Sequence, residues 1–243
     1  YASIYAMHFL TEAKERGFVV PQELMERGLA YLAYLGRQSM TGIESLAKAR
    51  TSAYAVYLLT RNGIVTTDYV DAMREQLDKA KEAKKWKKDL TASYLAATYK
   101  LLKLDSKADD LISGMKMGQP VDADYDNFYD SLAHDSQHLY ILGKHFPERF
   151  KRFSEGDMLC MQCIVNGISN NSFNTITSAY AILPMDAYAE AVGEKAVAEI
   201  KIREILAKGT EDLALPKGLF PKVAFSGEAK KVRIESTSGF PTF

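Results

Sequence analysis

Two histidines and two cysteines have the spacing of a metal site. His134 and His138 are four residues apart, and Cys160 and Cys163 are three apart. On helices these spacings place each pair along one face, so that four ligands could surround a tetrahedral zinc ion. The pairs fall on different predicted helices, and their separation is not that of a zinc finger. We favour packing roles for all four residues and keep two alternatives open, a zinc site and a redox or disulfide-linked cysteine pair.

A second candidate metal site is the acidic segment VDADYDNFYD, which carries Asp122, Asp124 and Asp126. An EF-hand loop counted from the first of these requires Gly at 127 and Glu at 133, where this sequence has Asn127 and Ala133. That mismatch excludes an EF-hand and leaves a looser calcium loop as an alternative. We expect an acidic loop that ends with Asp130 at the N-terminus of a helix.

Neither the charge balance nor the acidic residues predict an enzyme or a nucleic-acid partner. Lys plus Arg and Asp plus Glu number 31 each, so no global charge attracts nucleic acid or an anionic membrane. The basic run 79–88 is expected to be the solvated end of an outer helix. The buried elements contain few acids, namely Glu12, Asp135 and Asp186. We expect no catalytic, cofactor-binding or metal-binding residue.

These residues lie on a repeated helical element. The pentapeptide TSAYA occurs at 51–55 and again at 177–181. Aligning the two copies brings three further segments into register, with equivalent positions at Tyr5, Tyr54, Tyr94, Gln137 and Tyr180. Spacings of 49, 40, 43 and 43 residues are typical of a helical-hairpin array. The chain of 243 residues is 47% apolar and therefore long enough to bury a large core.

Each repeated element is apolar on nearly all sides, whereas amphipathic helices separate them. This predicts an all-α fold, an α/α toroid of about five hairpins with the apolar helices inside, in preference to an open solenoid. Outer helices are expected to begin at Pro21 and at Thr67/Asp68, with others over 105–115, 148–165 and 194–207. The abrupt start predicts one further hairpin upstream of Tyr1.

Three residues are expected to end or bend helices in this pattern. Gly17 and Gly63 are expected to end the preceding helices in the left-handed conformation. Pro184 is expected to kink or end the last inner helix.

The C-terminal stretch has a different period. The segments VAFSG (223–227) and KVRIEST (231–237) alternate apolar and polar residues around a glycine, which predicts a β-hairpin. We therefore expect a toroid over 1–215 and, over 216–243, a β-segment belonging to a neighbouring β-domain.

Several blocks resemble the bacterial α2-macroglobulins in their thioester-bearing toroid and the β-segment after it. They are YASIYAMHFLTEAKERGFVVPQELMERGLAYL, DSQHLYILGKHFPE, NTITSAYAILPMDAYAEA and the tail FSGEAKKVRIESTSGFPTF. The resemblance implies a periplasmic, lipid-anchored, broad-spectrum protease trap, whose targets are proteases and whose anchor lies outside this chain. In that family a buried Cys–Gln thioester in a C-x-E-Q motif is exposed on triggering and attacked by a lysine of the protease.

Neither cysteine of this chain lies in that motif, because Cys160 precedes Met161-Gln162 and Cys163 precedes Ile164-Val165. We expect the motif upstream of Tyr1; the alternative is a family member that lacks the thioester. Two other classes remain open, a non-covalent helical-repeat binding module and a toroid enzyme acting on glycans or isoprenoids. The latter requires paired carboxylates about one glycosidic bond apart.

Overall fold

The computed structural model describes residues 1–38, 40–80, 85–150, 163–164, 166–168, 174–192, 200–214 and 223–236. Contacts between Cα atoms divide the chain into two compact units, Tyr1–Ala191 and Val192–Phe243. The first is helical and the second contains the strands.

Eight helices define the first unit within the described ranges. Five are inner helices: α1 Ala2–Glu15, α3 Leu46–Arg61, α5 Leu90–Leu101, α7 Ser131–His145 and α8 Thr175–Val192. Three are outer helices: α2 Gln22–Gln38, α4 Thr67–Lys79 and α6 Asp105–Ile112. The outer helices expected at Pro21, at Thr67 and over 105–115 are therefore confirmed. None of the helices in these ranges has the length and apolar character needed to cross a membrane.

Burial separates the inner helices α3, α5 and α7 from the outer ones, whereas α1 buries one side only, contrary to expectation. In α5 every residue from Leu90 to Tyr99 is buried, whereas α4 buries one stripe made of Val70, Met73 and Leu77. The difference follows from the sequence, because small and apolar residues on all sides of α5 permit contact all round. Small residues also allow neighbouring inner helices to approach closely. An alanine Cβ built on Gly143 of α7 would lie 2.8 Å from Cβ of Ala187 in α8.

The inner helices form a closed ring, as predicted for a toroid. Helix α3 packs against α1 and α5, and α5 packs against α7. The first and last inner helices also meet, since Tyr5 packs edge-on against Tyr180 with ring centroids 5.3 Å apart. Arg16 and Asp186 form an ion pair between the same two helices. These contacts exclude the open solenoid for the first unit.

The helix ends are set by residues that the sequence predicts, with one exception. Gly17 and Gly63 have φ values of +81° and +83°, as the left-handed C-cap requires. Asp130 caps α7 by accepting a hydrogen bond from Ala133 N at 2.7 Å. Pro184 does not end its helix, because α8 continues through it to Val192, and the kink expected as the alternative stays a prediction.

The second unit contains a three-stranded antiparallel sheet, with β1 Ile200–Leu206 between β2 Gly209–Leu213 and β3 Lys231–Ser236. The prediction of an outer helix over 194–207 is therefore wrong for residues 200–207. Ile200, Ile202 and Ile205 are β-branched, and residues 207–208 turn the chain directly into β2. Residues 193–199 lie outside the described residues.

The predicted hairpin is correct in one strand only. Residues 231–236 form β3, whose partner is β1, with Ile202 opposite Ile234. Residues 223–227 form no strand. The boundary expected at 215/216 falls after β1 and β2, whereas the contacts divide the chain at 191/192. Most of the helix predicted over 148–165 lies outside the described residues, although residues 148–150 and 163–164 are helical.

Candidate functional site

The positions equated by the repeat meet at the centre of the ring. Tyr54 and Tyr94 stack with centroids 4.6 Å apart and an interplanar angle of 8°. The hydroxyls of Tyr54 and Tyr180 are 3.4 Å apart, and the Tyr94 hydroxyl donates to Oε1 of Gln137 at 3.5 Å. We call these four residues the tyrosine centre. Helices α3, α5, α7 and α8 each contribute their repeat position to the middle of the ring, whereas Tyr5 of α1 is only partly buried and packs edge-on against Tyr180.

Burial keeps this centre neutral. It raises the pKa of Tyr54, Tyr94 and Tyr180 well above the ordinary value for tyrosine, since the phenolate would be desolvated. The hydroxyls therefore stay protonated at physiological pH and act as hydrogen-bonding groups rather than as bases. Nε2 of Gln137 is buried without a hydrogen-bond partner among the described residues. The centre is a buried packing element.

A cluster of charged and polar side chains, with the Arg61 side chain and Glu12 buried and Glu15 and Lys144 exposed, lies toward the C-terminal ends of three inner helices. It consists of Glu12 and Glu15 of α1, Arg61 of α3, and Tyr140 and Lys144 of α7, and we call it the tail cluster. Arg61 Nη2 lies 2.7 Å from Glu12 Oε1 and 2.6 Å from Glu15 Oε2. Lys144 Nζ lies 2.7 Å from Glu15 Oε2. The cluster joins three inner helices through side chains.

The charges of the tail cluster stabilise one another. Burial alone would raise the pKa of Glu12, but hydrogen bonds from His8 and Tyr140 and the charge of Arg61 lower it far below the usual range. The pKa of Arg61 is raised despite its burial, because Glu15 and Glu12 surround it. Cations near the C-termini of α3 and α7 also interact favourably with the helix dipoles.

A third polar group lies at the N-terminal ends of α3 and α5. Arg50 donates to both carboxylate oxygens of Asp89, at 2.8 and 3.1 Å, and its guanidinium carbon lies 3.3 Å from the ring centroid of Tyr129. Asp89 also caps α5 by accepting from Thr91 N at 2.9 Å. One buried carboxylate therefore fixes a helix start and an interhelical ion pair together.

The proposed zinc ligands do not assemble among the described residues. His134 and His138 are buried on α7, where His134 Nδ1 contacts Asp135 at 3.0 Å and His138 Nδ1 contacts Ser93 at 2.8 Å. Cys163 is a free, half-buried cysteine, and Cys160 lies outside the described residues. Burial, with a smaller effect of His134, lowers the pKa of His138 to about 3, so its imidazole is neutral. No group of three metal-ligating residues is found in the described part of the chain.

The acidic loop and the inner-helix acids are likewise held by individual partners. Asp122 pairs with Lys85 at 2.9 Å, and Asp124 accepts a hydrogen bond from the Asn127 amide. Among the described residues Asp126 is not brought together with two other acids to form a calcium site. The acids weighed for a glycan-cleaving enzyme have basic side chains beside them: Glu12 pairs with Arg61, Asp186 pairs with Arg16, and Asp135 lies 3.0 Å from Nδ1 of His134.

Sequence reasoning missed the tail cluster and the Arg50–Asp89 pair. Both depend on partners 39 or more residues apart that packing brings together. A signal was available, since an arginine inside an otherwise apolar inner helix must find a carboxylate when it is buried.

This arrangement defines the class of the protein as a helical ring whose inner helices meet at a polar centre. No family model matches the chain. The α2-macroglobulin of Rickettsia conorii is 36% identical over 215 residues, which cover 87% of this chain and 11% of the relative. The α2-macroglobulin of Pasteurella multocida is 34% identical over 198 residues, covering 78% of this chain and 10% of the relative.

Solved structures give the same relationship at the level of the fold. Escherichia coli α2-macroglobulin activated by porcine elastase matches 96% of this chain with a TM-score of 0.56 and 16% identity, over 19% of its own length. Salmonella α2-macroglobulin reacted with methylamine matches 96% with a TM-score of 0.55 and 16% identity, over 14% of its length. The chain belongs to the bacterial α2-macroglobulin family and spans about a tenth of the length of the curated relatives it matches.

Proposed function

We propose that the first unit is the helical scaffold of the thioester-bearing region in a bacterial α2-macroglobulin that traps proteases. The observation that carries the proposal is the sequence relationship over 87% of the chain, joined to a closed ring with a buried centre. In this role the chain shields and presents a reactive group and performs no catalysis of its own.

The chemistry of a thioester explains why a packed ring is a suitable scaffold. A thioester is an activated acyl group, so water must be excluded from it until an amine nucleophile is delivered. We place its C-x-E-Q motif upstream of Tyr1, because neither Cys160 nor Cys163 is followed by the required residues. The second unit is then part of a neighbouring β-domain of the same parent chain.

The descriptions of two solved structures support proteases as the targets. One is described as activated by porcine elastase and another as reacted with methylamine. We infer that the whole protein takes proteases as targets and is periplasmic, with a lipid anchor outside this chain.

The test compares the full-length gene product with the 243-residue chain. Intact-mass analysis after methylamine treatment is expected to show addition of one methylamine to the full-length protein and none to the chain alone. Incubation with elastase is expected to produce a covalent protease conjugate that survives denaturing electrophoresis and is lost after methylamine pretreatment. Protease trapping without any covalent conjugate would assign the protein to the members that lack the thioester. Methylamine incorporation into the 243-residue chain would contradict the placement of the reactive group.

A further inference from the structure

A cavity of about 420 Å³ opens at the N-terminal ends of α3 and α5, well apart in the sequence from either cysteine. Its volume is in the range of small-ligand sites. Three separate stretches and Tyr129 form its walls: Leu46 and Arg50, Lys85 to Asp89, and Gly114 to Asp122. Nothing in the proposed scaffold role uses this cavity.

The inner wall of the cavity is rigid and its charges are already paired. Arg50 and Asp89 form the bidentate ion pair, and the Tyr129 hydroxyl donates to Asp89 Oδ2 at 3.2 Å. The hydrogen-bonding fork of Arg50 is therefore occupied. A ligand meets a preorganised surface whose polar groups are satisfied.

The rim, by contrast, carries two lysines that have no acidic partner among the described residues. Lys88 and Lys116 line the cavity and are exposed, and within the described ranges neither takes part in an ion pair. Lys85 is paired with Asp122 at 2.9 Å. Four cationic side chains face two carboxylates in this lining, which leaves two positive charges on the rim.

The apolar part of the lining is formed by Leu46, Pro120 and Val121, and Gln119 adds a polar amide. We propose that the cavity binds a carboxylate carried on a short apolar stem, with Lys88 and Lys116 holding the carboxylate and the apolar residues holding the stem. Lysine ammonium groups are compact point charges that do not require the bidentate geometry typical of arginine–phosphate recognition. The carboxylate can come from a free dicarboxylate or from an acidic side chain of a polypeptide. This proposal does not depend on the thioester role.

The experiment measures binding of a fluorescein-labelled peptide of alternating Glu and Leu to the 243-residue chain by anisotropy. A peptide with Gln in place of Glu is the chemical control, and glutarate is the competing free dicarboxylate. The double variant K88A/K116A removes the two unpaired rim charges. The matched control K14A/K79A removes two exposed lysines outside the cavity. Circular dichroism melting of each variant checks the fold.

We expect saturable binding of the Glu peptide that weakens with salt, and a loss of about fivefold or more in K88A/K116A. The control K14A/K79A is expected to change binding by less than about twofold. Asp122→Asn is expected to tighten binding about twofold, because it removes a competing carboxylate and frees Lys85. Complete competition by millimolar glutarate supports the free dicarboxylate as the source; competition only by unlabelled Glu peptide supports the polypeptide. Equal binding of the Gln peptide, or equal losses in both double variants, would overturn the proposal.

Discussion

The tail cluster predicts a strong energetic coupling between two inner helices. The perturbation is Arg61→Met in α3, together with Glu12→Gln in α1, singly and combined. The Arg61 side chain is 1% exposed and bonds to Glu12, to Glu15 and to the Tyr140 hydroxyl at 2.9 Å. Methionine keeps much of the volume of arginine and removes the charge and all the donors.

The magnitude follows from what each variant leaves buried. Without Arg61, Glu12 retains Lys144 and His8 at 3.4 Å, Arg16 at 3.6 Å and the hydrogen bond from the Tyr140 hydroxyl, so its carboxylate keeps partners that are weaker than Arg61. Breaking a buried ion pair costs ~3–5 kcal/mol, and the remaining partners place this case near ~3 kcal/mol. Glu12→Gln leaves Arg61 with Glu15 and should cost ~2 kcal/mol. The double variant should cost ~3 kcal/mol, which gives a coupling of ~2 kcal/mol.

The assay is urea unfolding of the 243-residue chain followed by helical circular dichroism. The matched control is Arg74→Met. The Arg74–Asp110 pair has a distance of 2.8 Å, close to the 2.7 Å of the Arg61–Glu12 pair, but the Arg74 side chain is 25% exposed. Surface pairs contribute ~0–1 kcal/mol, so this control should cost less than ~1 kcal/mol. The reasoning is refuted if R61M costs no more than R74M, or if the R61M and E12Q costs simply add.

Two further predictions concern acid sensitivity and close packing. Burial lowers the pKa of His138 and of His145 to about 3, so protonation favours the unfolded chain. The contribution of each histidine to stability is complete above the unfolded pKa near 6.5 and falls by ~1.4 kcal/mol per pH unit as the pH drops toward 3. Thermal melts at pH 7, 6, 5 and 4 measure this loss. Gly143→Ala should cost ~1–3 kcal/mol in urea unfolding, because the new methyl group meets Ala187 at 2.8 Å, while Gly227→Ala, with nothing within 4 Å, should cost less than ~0.5 kcal/mol. A flat melting temperature down to pH 4, or equal effects of the two glycine variants, would contradict these expectations.

The inner helices were predictable because their signals are local. The TSAYA repeat, the apolar surface of residues 90–99 and the left-handed glycines at 17 and 63 each act within one or two helical turns. Even the meeting of Tyr54, Tyr94 and Tyr180 follows from the repeat, since equivalent positions in a ring share one height. The family relationship was also readable from blocks of sequence.

The failures occur where non-local partners decide the structure. Residues 200–206 carry charges at spacings compatible with a helix. They form strand β1 instead, because β2 pairs with one edge of this strand and β3 with the other. The segment 223–227 has the correct alternation but forms no strand, and its contact with β1 runs from Ser226 N to the side chain of Glu204. Similarly, no spacing in the sequence shows that Arg61 meets Glu12, because the two lie 49 residues apart on different helices.

The distribution of polar contacts explains how the first inner helix is held. Only Ile4 and Met7 are fully buried apolar residues of α1, whereas α3 buries most of its length. At one end Tyr5 packs against Tyr180, and at the other Glu12 bonds to Arg61. Apolar packing alone would permit a helix with so narrow a stripe to slide, while directional bonds at both ends fix its register. The position of α1 therefore depends strongly on charged contacts, and the loss of Arg61 should loosen α1 before it disturbs the α3–α5 core.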